Sequence, residues 1–225
     1  MGNQGPVFYF HTNKDAPRNR VVALDLRRPE TLQEVVPEAE ETLEGASFVG
    51  GYVVGRYLKD ASSLIRVFDL EGNPVRDVEL PGIGSVGGFA GHADDTETFY
   101  SFTSYITPPT IYRYDLATGE SEVFRQAQVD FDSQAYETRQ VFYTSKDGTR
   151  VPMFITHRTG LALNGAHPTL LYGYGGFNSS QTPGFSVIRA VWLEMGGVLA
   201  IANLRGGGEY GEEWHQAGTK TRKQN

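Results

Sequence analysis

The sequence predicts a β-propeller part, about three blades long, followed by the start of an α/β domain. Two observations support this fold class. β-Rich runs recur at a regular spacing through the first half of the chain, and a strand–helix–strand pattern replaces them in the second half. The pattern changes after about Ala127, so the expected parts are residues 1–128 and residues 129–225. The chain therefore combines antiparallel repeats with a parallel-sheet architecture.

Three aspartates mark the repeats of the first part. Asp25, Asp69 and Asp115 each close a β-rich run, each precedes a polar turn, and they are spaced by 44 and then 46 residues. A second β-rich run precedes each aspartate, at residues 7–10, 52–57 and 99–103. Units of roughly 40–50 residues with several short strands are typical of propeller blades, although meanders of a β-sandwich remain an alternative. Because a closed propeller has about 4–8 blades, we expect further blades on the N-terminal side.

A hairpin opens the second part. Residues 138–144 and 150–156 are strand-like runs, and Ser145-Lys146-Asp147-Gly148 joins them. The Asp-Gly pair supplies the positive φ that a tight hairpin turn needs.

A strand–helix–strand unit follows the hairpin. Residues 169–172 predict a short buried strand, residues 186–195 predict a helix that Gly196-Gly197 stops, and residues 198–202 predict a continuous apolar strand. This order indicates a βαβ unit, in which the strands pair in parallel and are buried on both faces. The second part is therefore expected to open an α/β domain.

The composition excludes several classes of function. A net charge of −7 and a pI near 5.3 disfavour nucleic acid as a partner, because phosphate binding requires clustered Lys and Arg. The absence of cysteine excludes disulfides, Cys-ligated zinc and a Cys nucleophile. The apolar runs are shorter than the ~20 residues of a membrane span. We expect a soluble, cytoplasmic protein that uses no metal or organic cofactor.

Two glycine-rich segments are candidates for the chemistry. Tyr174 lies in a YGYGG segment directly after the predicted strand at residues 169–172, where an α/β-hydrolase places a donor of its oxyanion hole; an ordinary glycine-rich turn is the alternative. Gly206, Gly208 and Gly211 match the G-x-G-x-x-G dinucleotide pattern. That match is weak because Glu209 and two further glutamates would repel phosphates. Residues 82–87 match the same pattern but lie between repeats, which favours a propeller loop.

The run from residue 171 to residue 218 resembles the start of the catalytic domain of the prolyl oligopeptidase family of serine peptidases. Residues 10–26, 94–116 and 141–160 resemble the late propeller blades of that family and its entry into the hydrolase domain, so the resemblance covers the whole chain. Phe177 and the Glu209-Tyr210-Gly211 continuation fit the proline-specific branch. The resemblance implies an α/β-hydrolase fold and a monomeric enzyme that cleaves short peptides after proline, with a propeller that restricts access to small substrates.

The resemblance assigns roles to a few residues. It implies that Tyr174 donates its phenolic hydroxyl to the oxyanion, a contact of a kind worth ~3 kcal/mol of barrier. It implies that Phe177 lines the specificity pocket and packs against the substrate proline, whereas ordinary core packing is the alternative without the resemblance. Arg205 is interpreted as loop architecture rather than as a catalytic group.

The catalytic triad is not recognisable in this sequence. No G-x-S-x-G nucleophile motif occurs in the 225 residues. His215 is the one histidine after the YGYGG segment, but it would precede any nucleophile, so we interpret it as a structural or surface histidine. The resemblance places Ser, Asp and His beyond Asn225. We therefore expect the chain to be inactive alone, to expose sheet edges and an apolar face, and to be marginally stable. A non-catalytic propeller-type binding module and a nucleotide-binding protein remain alternatives.

Overall fold

The computed structural model describes residues 1–162 and 164–224, and its first part consists of three four-stranded antiparallel sheets. The first sheet contains β1 (Gly2–Gln4), β2 (Val7–Thr12), β3 (Arg20–Asp25) and β4 (Leu32–Val36). The second contains β5 (Thr42–Val49), β6 (Tyr52–Lys59), β7 (Ser62–Phe68) and β8 (Pro74–Asp77). The third contains β9 (Ser85–Ala90), β10 (Glu97–Thr103), β11 (Thr110–Asp115) and β12 (Ser121–Gln126). In each sheet the strands are neighbours in sequence order, as in a propeller blade.

The predicted repeats coincide with these sheets. The runs at residues 7–10, 52–57 and 99–103 lie in the second strands, and the aspartates end or directly follow the third strands. Side chains along a strand point alternately to its two faces. In β10, Tyr100 and Phe102 are buried on one face, while Phe99 and Ser101 are exposed on the other. The expected period therefore corresponds to one four-stranded sheet.

The repeated aspartates close the turn between the third and fourth strands. Asp25 Oδ1 accepts the Arg27 N–H at 3.0 Å, and Asp69 Oδ1 accepts the Asn73 N–H at 2.8 Å. Asp115 Oδ1 accepts the main-chain N–H groups of Ala117 and Thr118, at 2.9 and 2.7 Å. A carboxylate at this position satisfies turn amides that no strand partner reaches, which explains why the residue recurs.

The sheets pack against one another through aromatic and aliphatic side chains. Leu43 and Tyr57 of the second sheet share a buried cluster with Tyr9 and Val21 of the first sheet. Val54 and Ile65 of the second sheet share another buried cluster with Phe89 and Tyr100 of the third sheet. Within the third sheet the Phe89 and Tyr100 rings stack with 4.8 Å between their centroids. Each sheet therefore completes its core against the next, as successive blades do.

The second part forms one mixed sheet. Its strands are β13 (Tyr136–Thr144), β14 (Arg150–Arg158), β15 (Thr169–Gly173) and β16 (Val198–Ala202), in the order β13-β14-β16-β15. The predicted hairpin is confirmed, with the strands two residues longer at the ends away from the turn. Helix α1 (Val187–Glu194) joins β15 to β16, which pair in parallel, so the predicted βαβ unit is also confirmed. A short helix α2 (Glu212–Gln216) follows β16.

One expectation about this unit is wrong. β16 is buried along its whole length, as predicted, but all five residues of β15 are exposed, and Leu171 is 67% exposed. The reason is position: β15 lies at the edge of the sheet and pairs only with β16 among the described residues. The outward face of α1 is apolar as well, with Ile188 83% exposed. The expected exposed edge and apolar face are therefore present.

A buried cluster joins the two parts. Phe154, Leu193 and Ile201 of the second part pack there with Ala61 and Tyr105 of the propeller part. Ala61 belongs to the two-residue turn between β6 and β7, in which Asp60 and Ala61 both have positive φ, 48° and 67°. The Ala61 methyl group is fully buried, so this turn enters the core of the neighbouring part.

Hydrogen bonds reinforce the same junction. The Tyr210 hydroxyl donates to Asp60 Oδ1 at 2.6 Å, and the Gln140 amide donates to the Asp60 carbonyl. Ser85 Oγ donates to the Pro183 carbonyl at 2.6 Å.

No helix among the described residues is long and apolar enough to cross a membrane.

Candidate functional site

The YGYGG loop begins where β15 ends. It leaves regular structure at Tyr174, and Gly175, Phe177 and Asn178 all have positive φ, between 54° and 60°. Tyr174 is 45% exposed and Phe177 is 90% exposed. Core packing within the described residues therefore does not explain Phe177. The loop presents a phenol and a flat apolar ring within four residues of each other.

The two glycine-rich segments pack directly on each other. A Cβ on Gly206 would lie 2.3 Å from the Gly175 carbonyl oxygen, and a Cβ on Gly175 would lie 2.5 Å from Leu204 Cβ. The Asn178 N–H donates to the Gly206 carbonyl at 3.0 Å. Glycine is needed on both sides because main chain approaches main chain. The two segments are separate candidates in the sequence. Their common position after adjacent parallel strands is the signal that could have indicated the contact.

Arg205 ties this pair of loops to the β13–β14 hairpin. Its Nη1 donates to Thr149 Oγ1 at 3.0 Å, and its Nη2 donates to Ser145 Oγ and Asp147 Oδ1, each at 3.1 Å. The Arg205 guanidinium also forms an ion pair with Asp147, and its hydrogen bonds hold the pKa of that carboxyl well below its usual range. The side chain is thus occupied by loop contacts, which agrees with the architectural role expected for it.

His215 has a similar architectural contact. It lies in α2, and its Nδ1 donates to the Gly206 carbonyl at 2.8 Å. Lys223 Nζ donates to the carbonyls of Gly175 and Arg205, the latter at 3.0 Å. Both side chains therefore bind main-chain oxygens under the two loops, consistent with the structural reading of His215.

The dinucleotide pattern has no room for a phosphate in this arrangement. A Cβ on Gly208 would lie 2.9 Å from the Asn178 carbonyl oxygen, and one on Gly211 would lie 2.5 Å from the Pro17 carbonyl oxygen. Protein main chain thus occupies the space beside each glycine of the pattern. Within residues 1–162 and 164–224 no group of three His, Asp or Glu side chains is arranged to hold a metal ion. The glycines serve loop packing, and the nucleotide-binding alternative loses its basis.

Propeller blades joined to a strand–helix–strand sheet with an exposed tyrosine on its glycine-rich loop define the fold class of propeller-bearing α/β-hydrolases. The sequence profile described as "Prolyl oligopeptidase, N-terminal beta-propeller domain" matches residues 1–127, and the profile described as "Prolyl oligopeptidase family" matches residues 183–225. The chain belongs to the prolyl oligopeptidase family. The propeller prediction is thereby confirmed over the β-sandwich alternative.

Individual relatives agree with this assignment. The chain is 48% identical over 227 residues to the prolyl endopeptidase of Elizabethkingia miricola, a match that covers 100% of this chain and 32% of the relative. The chain therefore spans about a third of the length of this relative.

Solved structures are similar along the whole chain. One, from a structural and mechanistic analysis of two prolyl endopeptidases, is 46% identical with a TM-score of 0.93 and covers 99% of this chain and 33% of that chain. Another is prolyl oligopeptidase B of Galerina marginata bound to a 35mer hydrolysis and macrocyclization substrate. It is 32% identical with a TM-score of 0.92 and covers 98% of this chain and 32% of that chain. These structures therefore share the arrangement of blades and mixed sheet with this chain.

Proposed function

We propose that the full-length protein containing this chain is a serine endopeptidase that hydrolyses short peptides on the carboxyl side of proline. The observation that carries the proposal is the exposed loop after β15, which presents Tyr174 and Phe177 to solvent instead of burying them. Family membership supplies the reaction class, and the Elizabethkingia miricola relative carries the name prolyl endopeptidase. The expected domain boundary near residue 128 remains part of this proposal.

Tyr174 has the chemistry of an oxyanion donor. When a nucleophile attacks the peptide carbonyl, negative charge develops on its oxygen, and a preformed O–H donor stabilises that charge more than it stabilises the ground state. The main chain that carries Tyr174 is fixed by the glycine contacts beneath it, so little reorganisation is needed during the reaction.

Phe177 has the chemistry of a proline-selective wall. Proline presents a compact apolar ring without a charge or a side-chain donor, and the flat face of an exposed phenyl ring can pack against it. No G-x-S-x-G motif lies in the 225 residues, so we propose that the isolated chain does not catalyse cleavage and that the triad comes from the rest of the protein.

The remaining expectations belong to the same proposal. A cysteine-free sequence suits a reducing compartment such as the cytoplasm. The net charge of −7 disfavours nucleic acid as a partner. We infer a monomeric enzyme whose partners are short proline-containing peptides, acting without a metal or organic cofactor.

The test compares variants of the full-length protein on a Gly-Pro amide substrate. Tyr174→Phe is expected to lower kcat about 10²–10³-fold with little change in KM, because the donor acts in the transition state. Phe177→Ala is expected to raise KM for proline substrates. Tyr172→Phe, on β15 two residues before Tyr174, is the matched control and should leave both constants unchanged.

Three outcomes would contradict parts of the proposal. Wild-type kcat in Tyr174→Phe would remove the oxyanion role. Serine-reagent-sensitive cleavage by the isolated 225-residue chain would show that the catalytic group lies within it. Capture of proline peptides by the full-length protein without turnover would instead favour the non-catalytic binding module.

A further inference from the structure

Glu209, directly after the three glycines, is a fully buried acidic side chain for which the proposed function has no role. Its Oε1 accepts the Gln181 N–H at 2.9 Å and the Asn203 side-chain N–H at 3.3 Å. The Asn203 Nδ2 also donates to the Gln181 carbonyl at 2.7 Å. Two side chains that follow β16 therefore hold both the main-chain donor and the main-chain acceptor of one residue in the opposite loop.

Gln181 belongs to the loop that carries the candidate substrate contacts. It lies four residues after Phe177, and the chain has no helix or strand between β15 and α1. Phe177 is almost fully exposed, so the packing of its own side chain does not fix its position. The loop conformation must be set through its main chain, at Asn178 by Gly206 and at Gln181 by Glu209 and Asn203.

The surroundings of Glu209 shift its carboxyl group toward the neutral form. Burial raises the pKa of Glu209, and the neighbouring hydrogen-bond donors, those of Gln181, Asn203 and Trp214 among them, offset only part of that increase. No Lys or Arg forms an ion pair with Glu209 within the described ranges. A Cβ on Gly207 would lie 2.2 Å from Glu209 Oε2, so Gly207 provides the space that the carboxyl group fills. A protonated carboxyl retains Oε1 as an acceptor, and a glutamine amide reproduces both its shape and that acceptor.

We propose that Glu209 and Asn203 form a clamp on the Gln181 main chain and that Glu209 is a positioning residue for Tyr174 and Phe177. The assignment of those two side chains to oxyanion and proline binding rests on the proposed function. The clamp explains why an acidic residue follows the triple glycine: it provides a buried acceptor for the loop amide. Glu209 itself need not touch the substrate.

The test uses a matched pair in the full-length protein, Glu209→Gln and Glu209→Met. Both substitutions keep the length of the side chain, so neither leaves a large cavity, and only glutamine keeps the acceptor. Glu209→Met is expected to lower kcat/KM for a Gly-Pro amide on the order of 10²-fold, since small misplacement of binding groups costs about that much. The loss should appear in both kcat and KM, and Glu209→Gln should keep wild-type values. The exposed neighbour Glu213→Gln is the control.

Amide hydrogen exchange of residues 174–184 tests the clamp without relying on activity. Faster exchange in Glu209→Met with normal exchange in Glu209→Gln supports it, and equal exchange in all variants overturns it. If Glu209→Met does not fold, Gly207→Ala, whose methyl group would displace the carboxyl, is expected to give the same local increase. If the wild-type protein cleaves no proline peptide but the variants still give this exchange pattern, the proposed function is refuted and the clamp is still supported.

Discussion

The propeller sheets and the mixed sheet differ in how far along the chain their contacts reach. Each blade pairs strands that are neighbours in sequence, and its aspartate-closed turn depends on residues a few positions apart. The mixed sheet inserts β16 between β14 and β15, and its core includes the Ala61 methyl group from a propeller turn. The difference shows that the blades are specified locally, whereas the mixed sheet depends on distant partners.

The largest expected effect comes from removing a fully buried ring of the cluster that joins the two parts. Phe154→Ala should lower the free energy of unfolding by about 3–5 kcal/mol, because a fully buried phenyl group is lost and a cavity remains. Urea unfolding monitored by circular dichroism measures this effect. Phe124→Ala on β12, where the ring is 62% exposed, should change the free energy of unfolding by less than about 0.5 kcal/mol. Equal losses of unfolding free energy in the two variants would contradict the special importance of the joining cluster.

A smaller effect is expected at the hydrogen bond between the two parts. Tyr210→Phe removes the hydroxyl that donates to Asp60 Oδ1 at 2.6 Å and should cost about 1.5–3 kcal/mol, since the acceptor is a carboxylate. Asp60→Asn keeps a side-chain acceptor and should cost less. Unfolding followed separately in the two parts, by hydrogen exchange, should show the loss mainly in the mixed sheet. A loss confined to the blades would mean that the contact serves the propeller instead.

The smallest expected effect is on the stability of the first blade at low pH. Hydrogen bonds from Arg27 lower the pKa of Asp25 to about 2, so Asp25 stabilises the first blade above pH ~4, its unfolded value, and the contribution disappears as the pH falls toward 2. Asp25→Asn should therefore reduce the fall in Tm between pH 5 and pH 2, measured by thermal unfolding. Asp94→Asn, at an exposed position, is the control. An unchanged acid response in Asp25→Asn would count against the turn role of the repeated aspartate.

The success of the sequence predictions also differs between locally determined features and features that depend on distant residues. The repeated aspartates and the β-rich runs located all three blades, because those signals act over a few residues. The β13–β14 hairpin and the βαβ unit were also predicted, but the burial of β15 was not, because edge position depends on the whole sheet. Tyr174 and Phe177 stood out through the family resemblance. The contacts of Gly206 with Gly175, and of Glu209 with Gln181, join residues about 30 apart. Such contacts produce no periodic pattern in the sequence.

The β6–β7 turn sets a condition for building chimaeras. Ala61 holds a left-handed backbone that glycine would adopt more easily, yet its methyl group is part of the core shared with the mixed sheet. A propeller taken from another family member would bring its own turn to a mixed sheet whose core is shaped for this one. Domain exchange should therefore succeed when Asp60 and Ala61 are transplanted together with the segment around Tyr210, and fail when the boundary is chosen only by where one sheet ends and the next begins.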